Sequence, residues 1–334
     1  MVTPRAAGFR MPPEWAPHTR TWMAWPCAEY FGDLDRARHA WAAVANTIAR
    51  HEPVSMVARP EHATASRDLL DGAVEIIGGA IDDAWMRDIG PTFLVDDAGA
   101  LGAVNWVFNG WGAQRWASWE HDSLIAADVI ERSGAKRFAS DLVNEGGGIH
   151  VDGEGTVVLT ETVQLDPDRN PGATKASVEA EIAAMIGTER AIWLPRGLAA
   201  DYSAMGTRGH VDLLAAFVRP GVVVAHHQPD AASPDHAVAE ENAAILVGAG
   251  LDVVRLTAPP SPGDSNDWSY VNFYVGNGFV LVGTFGDSAH DDAACQKLAT
   301  LFPGRTVERV DARPMFECGG GIHCITQQEP ASRG

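Results

Sequence analysis

Apolar residues recur along this chain at three- and four-residue spacing in six separated stretches, with short unbroken apolar runs between them. Over residues 36–50, Ala37, Trp41, Val44, Ala45 and Ile48 fall on one face of a helix. The same period predicts helices over residues 61–70, 122–132, 177–186, 236–247 and 288–301. The last opens on Ser288-x-x-Asp291, the pattern of a capping box, and stops before Pro303-Gly304. Runs at 93–95, 157–159, 222–225 and 279–282 read as strands, because each adjoins a turn sequence: Asp96-Asp97-Ala98-Gly99, Asp152-Gly153-Glu154-Gly155, Pro220-Gly221 and Gly276-Asn277-Gly278.

These elements repeat. GGGIH occurs at 146–150 and again at 319–323. Comparable units, each a polar cluster leading into an apolar strand and a tight turn, start at Trp85-Met86-Arg87-Asp88, Gly209-His210-Val211-Asp212 and Asn272-Phe273-Tyr274. The polar landmarks Asp88, Glu145, His210, Asn272 and Cys324 lie 57, 65, 62 and 52 positions apart. A unit of strands and one helix cannot bury its apolar faces alone; five set radially close on one another with their polar clusters at the centre. The expected fold is therefore an α/β propeller of five blades with its active site on the axis. No composition break divides the chain, and Pro259-Pro260-Ser261-Pro262-Gly263 reads as a surface loop, so residues 1–334 are read as one domain.

Composition narrows the function. The 44 acidic against 25 basic residues give a formal charge of −19, which repels phosphate backbones and anionic lipids and attracts small cations. Nucleic acid and membrane are thus excluded as expected partners, and no apolar run approaches the length of a membrane span. The first thirty residues lack a signal-peptide pattern. Four cysteines without a CxxC pair argue against a disulfide framework or a structural zinc site. Together these point to the reducing cytoplasm.

The expected centre holds Asp88, Glu145, His210, Asp212 and Cys324. Clustered carboxylates repel one another unless a cation sits between them. A guanidinium, planar and rich in N–H donors, suits bidentate carboxylate contacts on its edges. Cys324 would attack the guanidinium carbon, and His210 would protonate the departing ammonia and then activate water. Trp85 is a candidate wall of the substrate channel, and the glycines at 319–321, Gly320 among them, would let a substrate approach the backbone. This chemistry calls for no metal or organic cofactor.

The motifs GFRMPPEW (8–15), WMRDIGPTF (85–93), WVFNGWG (106–112), EGGGIHVDGEGTV (145–157), GHVD (209–212), NFY (272–274) and GGGIHCITQQEP (319–330) resemble agmatine deiminase over nearly the whole chain. The resemblance implies the pentein fold of the guanidino-modifying enzymes, a superfamily that includes bacterial-type peptidylarginine deiminases, usually as a homodimer. It also implies Cys324 as nucleophile, His210 as acid and base, Asp88 and Asp212 as guanidinium clamps, and Glu145 beside the histidine. The implied reaction is agmatine to N-carbamoylputrescine plus ammonia, in polyamine synthesis. One departure bears on the substrate: the family pattern E-x-N-G-H-V-D is replaced here by Gly206-Thr207-Arg208-Gly209-His210. An acid suited to a distal ammonium is missing, and Arg208 is a candidate partner for a substrate carboxylate, as in arginine.

Other readings remain open at this stage. The pairs His150/Asp152 and His210/Asp212 with His226 and His227 offer metal-ligand types, which makes a metallohydrolase the rival from another class. An amidinotransferase would share the covalent step but pass the amidino group to an amine, and a guanidino-binding protein would keep the site without turnover. Cys27 and Cys295 read as buried apolar residues. Cys318, six residues before Cys324, is a lesser candidate nucleophile. His150 and His323, equivalent in the GGGIH repeat, are expected to bond backbone carbonyls.

Overall fold

In three of the repeats the middle strand, Thr156–Thr160, Val222–His227 or Phe279–Thr284, carries an apolar run that is buried on both faces. Phe279, Val280, Leu281 and Val282 are all 0% exposed, and Val223 and Val224 likewise. In this computed structural model, which describes residues 2–28, 31–203, 205–260 and 268–332, the middle strands of the repeats sit inside five separate sheets. The loop predicted at 259–263 lies mostly outside the described residues.

Each sheet is built the same way. Tyr274–Gly276 pairs antiparallel with Phe279–Thr284, the chain crosses through the helix Ser288–Leu301, and Thr306–Asp311 returns parallel to the middle strand, Phe279 opposite Thr306. The unit recurs as Ala215–Arg219, Val222–His227, helix Pro234–Gly248 and Asp252–Thr257. It recurs again as Ile149–Val151, Thr156–Thr160, helix Lys175–Ile186 and Arg190–Leu194. A fourth copy is Thr92–Asp96, Leu101–Val107, helix Asp122–Ser133 and Lys136–Val143, with Phe9–Arg10 added at its edge. In the fifth, the strand that should come first comes last. Gln327–Pro330 pairs antiparallel with His18–Ala24, which leads through the helix Leu34–Ile48 to Val54–Ala58 and on to Val74–Gly78. The two ends of the chain thereby close the five-bladed ring.

The helices follow the predicted faces. Ala37, Trp41, Val44, Ala45 and Ile48 are at most 1% exposed, and Asp33 caps that helix by accepting from Arg36 N at 3.0 Å. The cap expected at Ser288 is displaced by one residue. Asp287 accepts from His290 N at 3.0 Å, while Asp291 turns back to accept from Tyr270 Oη at 2.7 Å and Phe285 N at 2.9 Å. An acid already engaged by a buried tyrosine and a strand-end amide cannot also close a capping box.

The consequence for function is positional. Asp88, Glu145, His210, Asn272 and Cys324 each fall in the turn just before the first strand of a unit, so five equivalent turns converge on one axis.

Candidate active site

Two tight backbone segments bring Cys324 and Asp88 together. Asp88 sits in the helical turn Met86–Ile89, and the amide of its neighbour Arg87 donates to the Cys324 carbonyl at 3.0 Å. The Arg87 side chain is buried, with Nε on the His323 carbonyl at 3.2 Å and Nη1 on Gln328 Oε1 at 2.8 Å. Glu145 opens the 3-10 turn Gly146–Gly148, where a Cβ on Gly147 would meet His210 Nδ1 at 2.5 Å. His210 follows Gly209, whose φ of +116° favours glycine, and Asp201 Oδ2 and Thr207 Oγ1 accept from His210 N at 3.2 and 3.1 Å.

All five predicted central residues meet. His210 Nδ1 lies 3.7 Å from Asp88 Oδ1 and Nε2 lies 3.4 Å from Glu145 Oε2. Asp88 accepts from Gly147 N at 3.1 Å and from Trp111 Nε1 at 2.9 Å. Cys324 Sγ stands 3.6 Å from Asp212 Oδ2 and receives Asn272 Nδ2 at 3.3 Å and Gly321 N at 3.5 Å. Two buried polar atoms of these five residues have no hydrogen-bond partner, Asp212 Oδ1 and His210 Nδ1. A carboxylate with an unsatisfied oxygen, close to a thiol and to a second acid and an imidazole, suits a donor-bearing cation.

The charges are set by that crowding. Burial first, and then the negative charges of Asp212 and Asp88, push the Cys324 thiol well above its ordinary range, against the pull of Gly321 N and Asn272. Burial disfavours the His210 imidazolium, yet Asp88, Glu145 and Asp212 outweigh it and lift the group to about 9. Asp88 is raised by burial and by its acidic neighbours. For Glu145 burial is overcome by Arg169 and His210, which bring it down to about 2. Arg169 Nε holds both Glu145 oxygens at 2.9 and 3.1 Å, and its other nitrogens reach Asp166 Oδ2 at 2.9 Å and the Thr207 carbonyl at 2.8 Å.

Beside the cluster is a narrow cleft lined by Asp88 and Cys324 together with Trp85, Trp111 and Trp116. Trp85 thus lies where the sequence predicts. Trp111 stacks on Trp116 at 5.2 Å and takes a φ of +55°, rare for so bulky a residue; the surrounding Gly110 and Gly112 are also left-handed. Gly320 packs against Cys324, since a Cβ there would meet Trp85 at 2.7 Å and Cys324 Sγ at 3.1 Å, while Gly319 is the glycine that lines the cleft. Cys318 also lines the cleft; burial and Glu317 push its thiol up to about 12, as burial raises that of Cys324, and what sets the two apart is that Asp212 and Asn272 contact Cys324.

Arg208 departs from expectation. Its Nη1 donates to Asp166 Oδ2 at 2.6 Å and to Asp168 Oδ2 at 3.1 Å, and it is not among the residues lining the cleft. Two carboxylates already neutralise it, so it is not a waiting partner for a substrate carboxylate. The expectation for the paired histidines also needs correction. His150 Nδ1 accepts from the Phe217 amide at 3.3 Å, and His323 bridges Asp212 Oδ2 and Glu14 Oε2 at 2.8 Å each. Buried in acid-rich surroundings, these rings pair with an amide and with carboxylates rather than with carbonyls.

The metal set proposed from sequence is dispersed. Asp152 Oδ1 accepts from Glu154 N and Thr156 N at 2.8 Å each in a turn, and His226 Nδ1 meets Ser269 Oγ at 3.0 Å. Among the described residues, the group with metal-ligand spacing is instead Glu14, His150 and His323, within 4.8 Å of one another. The Arg87 guanidinium lies 3.9 Å from Glu14 there, and both nitrogens of His323 are already engaged with carboxylates. Arg169, Trp111, Asn272 and His323 are site components that residue-type reasoning did not pick out. Three of the four lie inside the quoted motifs or the five-landmark series, which was the available signal.

The chain resembles known proteins over nearly its whole length. The family model of Porphyromonas-type peptidyl-arginine deiminases matches residues 10–330. A relative from Streptomyces avermitilis is 55% identical, covering 99% of each chain. The agmatine deiminase of Stutzerimonas stutzeri is 38% identical over 98% of this chain and 97% of its own. Among solved structures, the agmatine deiminase of Enterococcus faecalis superposes with a TM-score of 0.93 at 31% identity, covering 99% of this chain and 98% of that one.

Proposed function

Because the chain belongs to the Porphyromonas-type peptidyl-arginine deiminase family, we propose that it hydrolyses the guanidino group of agmatine to a ureido group, giving N-carbamoylputrescine and ammonia. The observation that carries this reading is the buried meeting of Asp88, His210 and Asp212 around Gly147, with Cys324 beside Asp212 and one Asp212 oxygen left without a hydrogen-bond partner.

In this reading the guanidinium sits between Asp88 and Asp212. Its charge offsets the two acids that, after burial, hold the thiol protonated, so Cys324 loses its proton to solvent as the cation binds. The thiolate adds to the guanidinium carbon. His210, kept protonated by the acids around it, gives a proton to one amino group and ammonia departs. His210 is then neutral and takes a proton from water, whose oxygen adds to the same carbon. Collapse of that adduct breaks the C–S bond, releases the ureido product and returns the thiol. Glu145, locked by Arg169, keeps His210 oriented through Nε2.

The cleft supports a slim tail without a carboxylate. Three tryptophans flank it, and Arg208 is spent on Asp166 and Asp168. The names of the Stutzerimonas and Enterococcus relatives favour agmatine as well. Cys27, Cys295, Cys318 and Cys324 are all unpaired, in keeping with a reducing cytoplasm, and a homodimer is the assembly that the family resemblance implies.

Steady-state assay of ammonia and ureido product tests the reading. Burying an unpaired carboxylate costs on the order of 3 kcal/mol, so kcat/KM for agmatine should exceed that for arginine about a hundredfold or more. Ammonia should appear without an amine acceptor, which separates hydrolysis from amidino transfer, and Cys324→Ser should abolish turnover. Undiminished activity in that variant, or a preference for arginine, refutes the proposal.

A further inference from the structure

The motif around Glu14 has no part in the chemistry described so far, yet its side chain reaches the centre of the ring. Glu14 Oε2 holds His323 Nε2 at 2.8 Å, and His323 Nδ1 holds Asp212 Oδ2 at 2.8 Å. All three residues are at least nine-tenths buried. Glu14 is fixed in turn, since its Oε1 accepts from Val275 N at 2.7 Å and its carbonyl accepts from His18 Nε2 at 2.7 Å. The carbonyls of His323 and Cys324 are held by the side chain and amide of Arg87.

We propose that Glu14 and His323 are positioning residues for the reaction: as a buried acid–imidazolium–acid chain they fix the Asp212 carboxylate through Oδ2, the oxygen that stands 3.6 Å from Cys324 Sγ, and leave Oδ1 without a hydrogen-bond partner. The inference rests on Asp212 as a guanidinium ligand. A carboxylate held at one oxygen has one orientation to offer; one without that tether can rotate, presenting either oxygen to the cation or to the Cys324 thiol. The ring needs a proton on each nitrogen to serve both acids, and its surroundings support that state. The groups facing it are Glu14 from the N-terminal segment, Asp212 from the turn Val211–Leu213, Arg87 from Met86–Ile89, and His150 from Ile149–Val151, stacked at 6.1 Å. His150 stays neutral, because burial lowers it to about 4 and its Nδ1 already accepts from an amide, so it does not compete for the proton. Burial and Arg87 oppose a charge on His323, but Glu14 and Asp212 outweigh them and raise it.

Two variants separate positioning from mere tethering. Glu14→Gln keeps the size and an acceptor for Val275 N but turns an N–H toward His323 Nε2, so at alkaline pH the ring is neutral and its bond to Asp212 Oδ2 loses the charge assistance that holds the carboxylate still. His323→Asn keeps a neutral donor near the place of Nδ1. In Glu14→Gln, kcat/KM for agmatine at pH 8.5 should fall roughly ten- to hundredfold while the loss at pH 6 is smaller, moving the alkaline limb down by about one unit or more. In His323→Asn the loss should be similar at every pH, and adding Glu14→Gln should cost nothing further. A Glu14→Gln profile that is lowered but unmoved, or a full second loss in the double variant, overturns the proposal. Should Glu14→Gln not fold, ¹⁵N-imidazole NMR of the wild-type protein decides: two ring protons on His323 at pH 8 support the chain, and loss of one below pH 7 overturns it. An inactive wild-type enzyme would instead refute the deiminase reading itself.

Discussion

Gly147→Ala offers a direct measure of how tightly the centre is built. The backbone at 147 lies outside the left-handed region, so alanine can adopt it and the effect comes from space alone. The added methyl would lie 2.5 Å from His210 Nδ1, 3.0 Å from Asp88 Oδ1 and 3.1 Å from Asp212 Oδ2. The first contact falls short of ordinary van der Waals separation by about 0.9 Å, and the side chains that must yield are His210, Asp88 and Asp212. A displacement of about 1 Å in a reacting group costs on the order of a hundredfold in rate. We therefore expect kcat/KM for agmatine to drop about a hundredfold or more, read as ureido product formed per unit time. Gly72→Ala serves as the control, because nothing lies within 4 Å of its Cβ position and its φ is ordinary, and it should leave the rate unchanged. Circular dichroism would verify that both variants fold. A folded Gly147→Ala enzyme within tenfold of wild type would refute the placement of His210, Asp88 and Asp212 around one guanidinium.

The two arginines near the site should behave very differently. Arg169→Met strips Glu145, Asp166 and the Thr207 carbonyl of a buried partner and should destabilise the fold by about 3–5 kcal/mol in urea unfolding. Arg208→Ala removes a half-exposed partner of Asp166 and Asp168 and should leave the KM for agmatine within a few-fold; a tenfold rise in KM for arginine in this variant would restore Arg208 as a carboxylate ligand. Stability should also depend on pH at both ends. His210, raised from 6.5 to about 9, contributes stability that is complete below pH 6.5 and lost as pH rises through 9, on the order of 3 kcal/mol. Glu145, lowered from 4.5 to about 2, contributes above pH 4.5 and fails as pH falls toward 2; the two are coupled, so their contributions do not add. Unfolding free energies at pH 6 and pH 9.5 check the alkaline part, and an unchanged slope in His210→Gln would contradict it.

Much of this was legible in the sequence because the repeat imposes it. The helix faces at Trp41 and Ile48, the apolar middle strands and the five landmark turns follow from local period and spacing, and the ring then brings Asp88, Glu145, His210, Asp212 and Cys324 together. What was hidden is who neutralises whom. Arg208 adds a positive charge beside the motif, but Asp166 and Asp168, about forty positions earlier, absorb it. Arg169 carries no periodic or motif signature, and its bond to Glu145 exists only because two segments are folded against each other. Glu14 and His323 lie 309 positions apart, so no local pattern announces their contact. Even the helix cap at Asp287 turned on a tertiary partner, since Tyr270 claims the acid that the local motif required. Pairing of polar side chains is decided by closure of the whole ring, and local sequence carries little of it.

That closure also fixes when activity can begin. Cys324 stands three residues before the strand Gln327–Pro330, which completes the sheet started by His18–Ala24. A chain emerging from the ribosome can assemble four of the five turns while its sulfur is still being translated, and it must then join segments more than three hundred positions apart. Nascent enzyme is consequently inert toward its substrate until synthesis has passed that strand. In refolding, the return of turnover reports the final docking event, later than the return of helix signal.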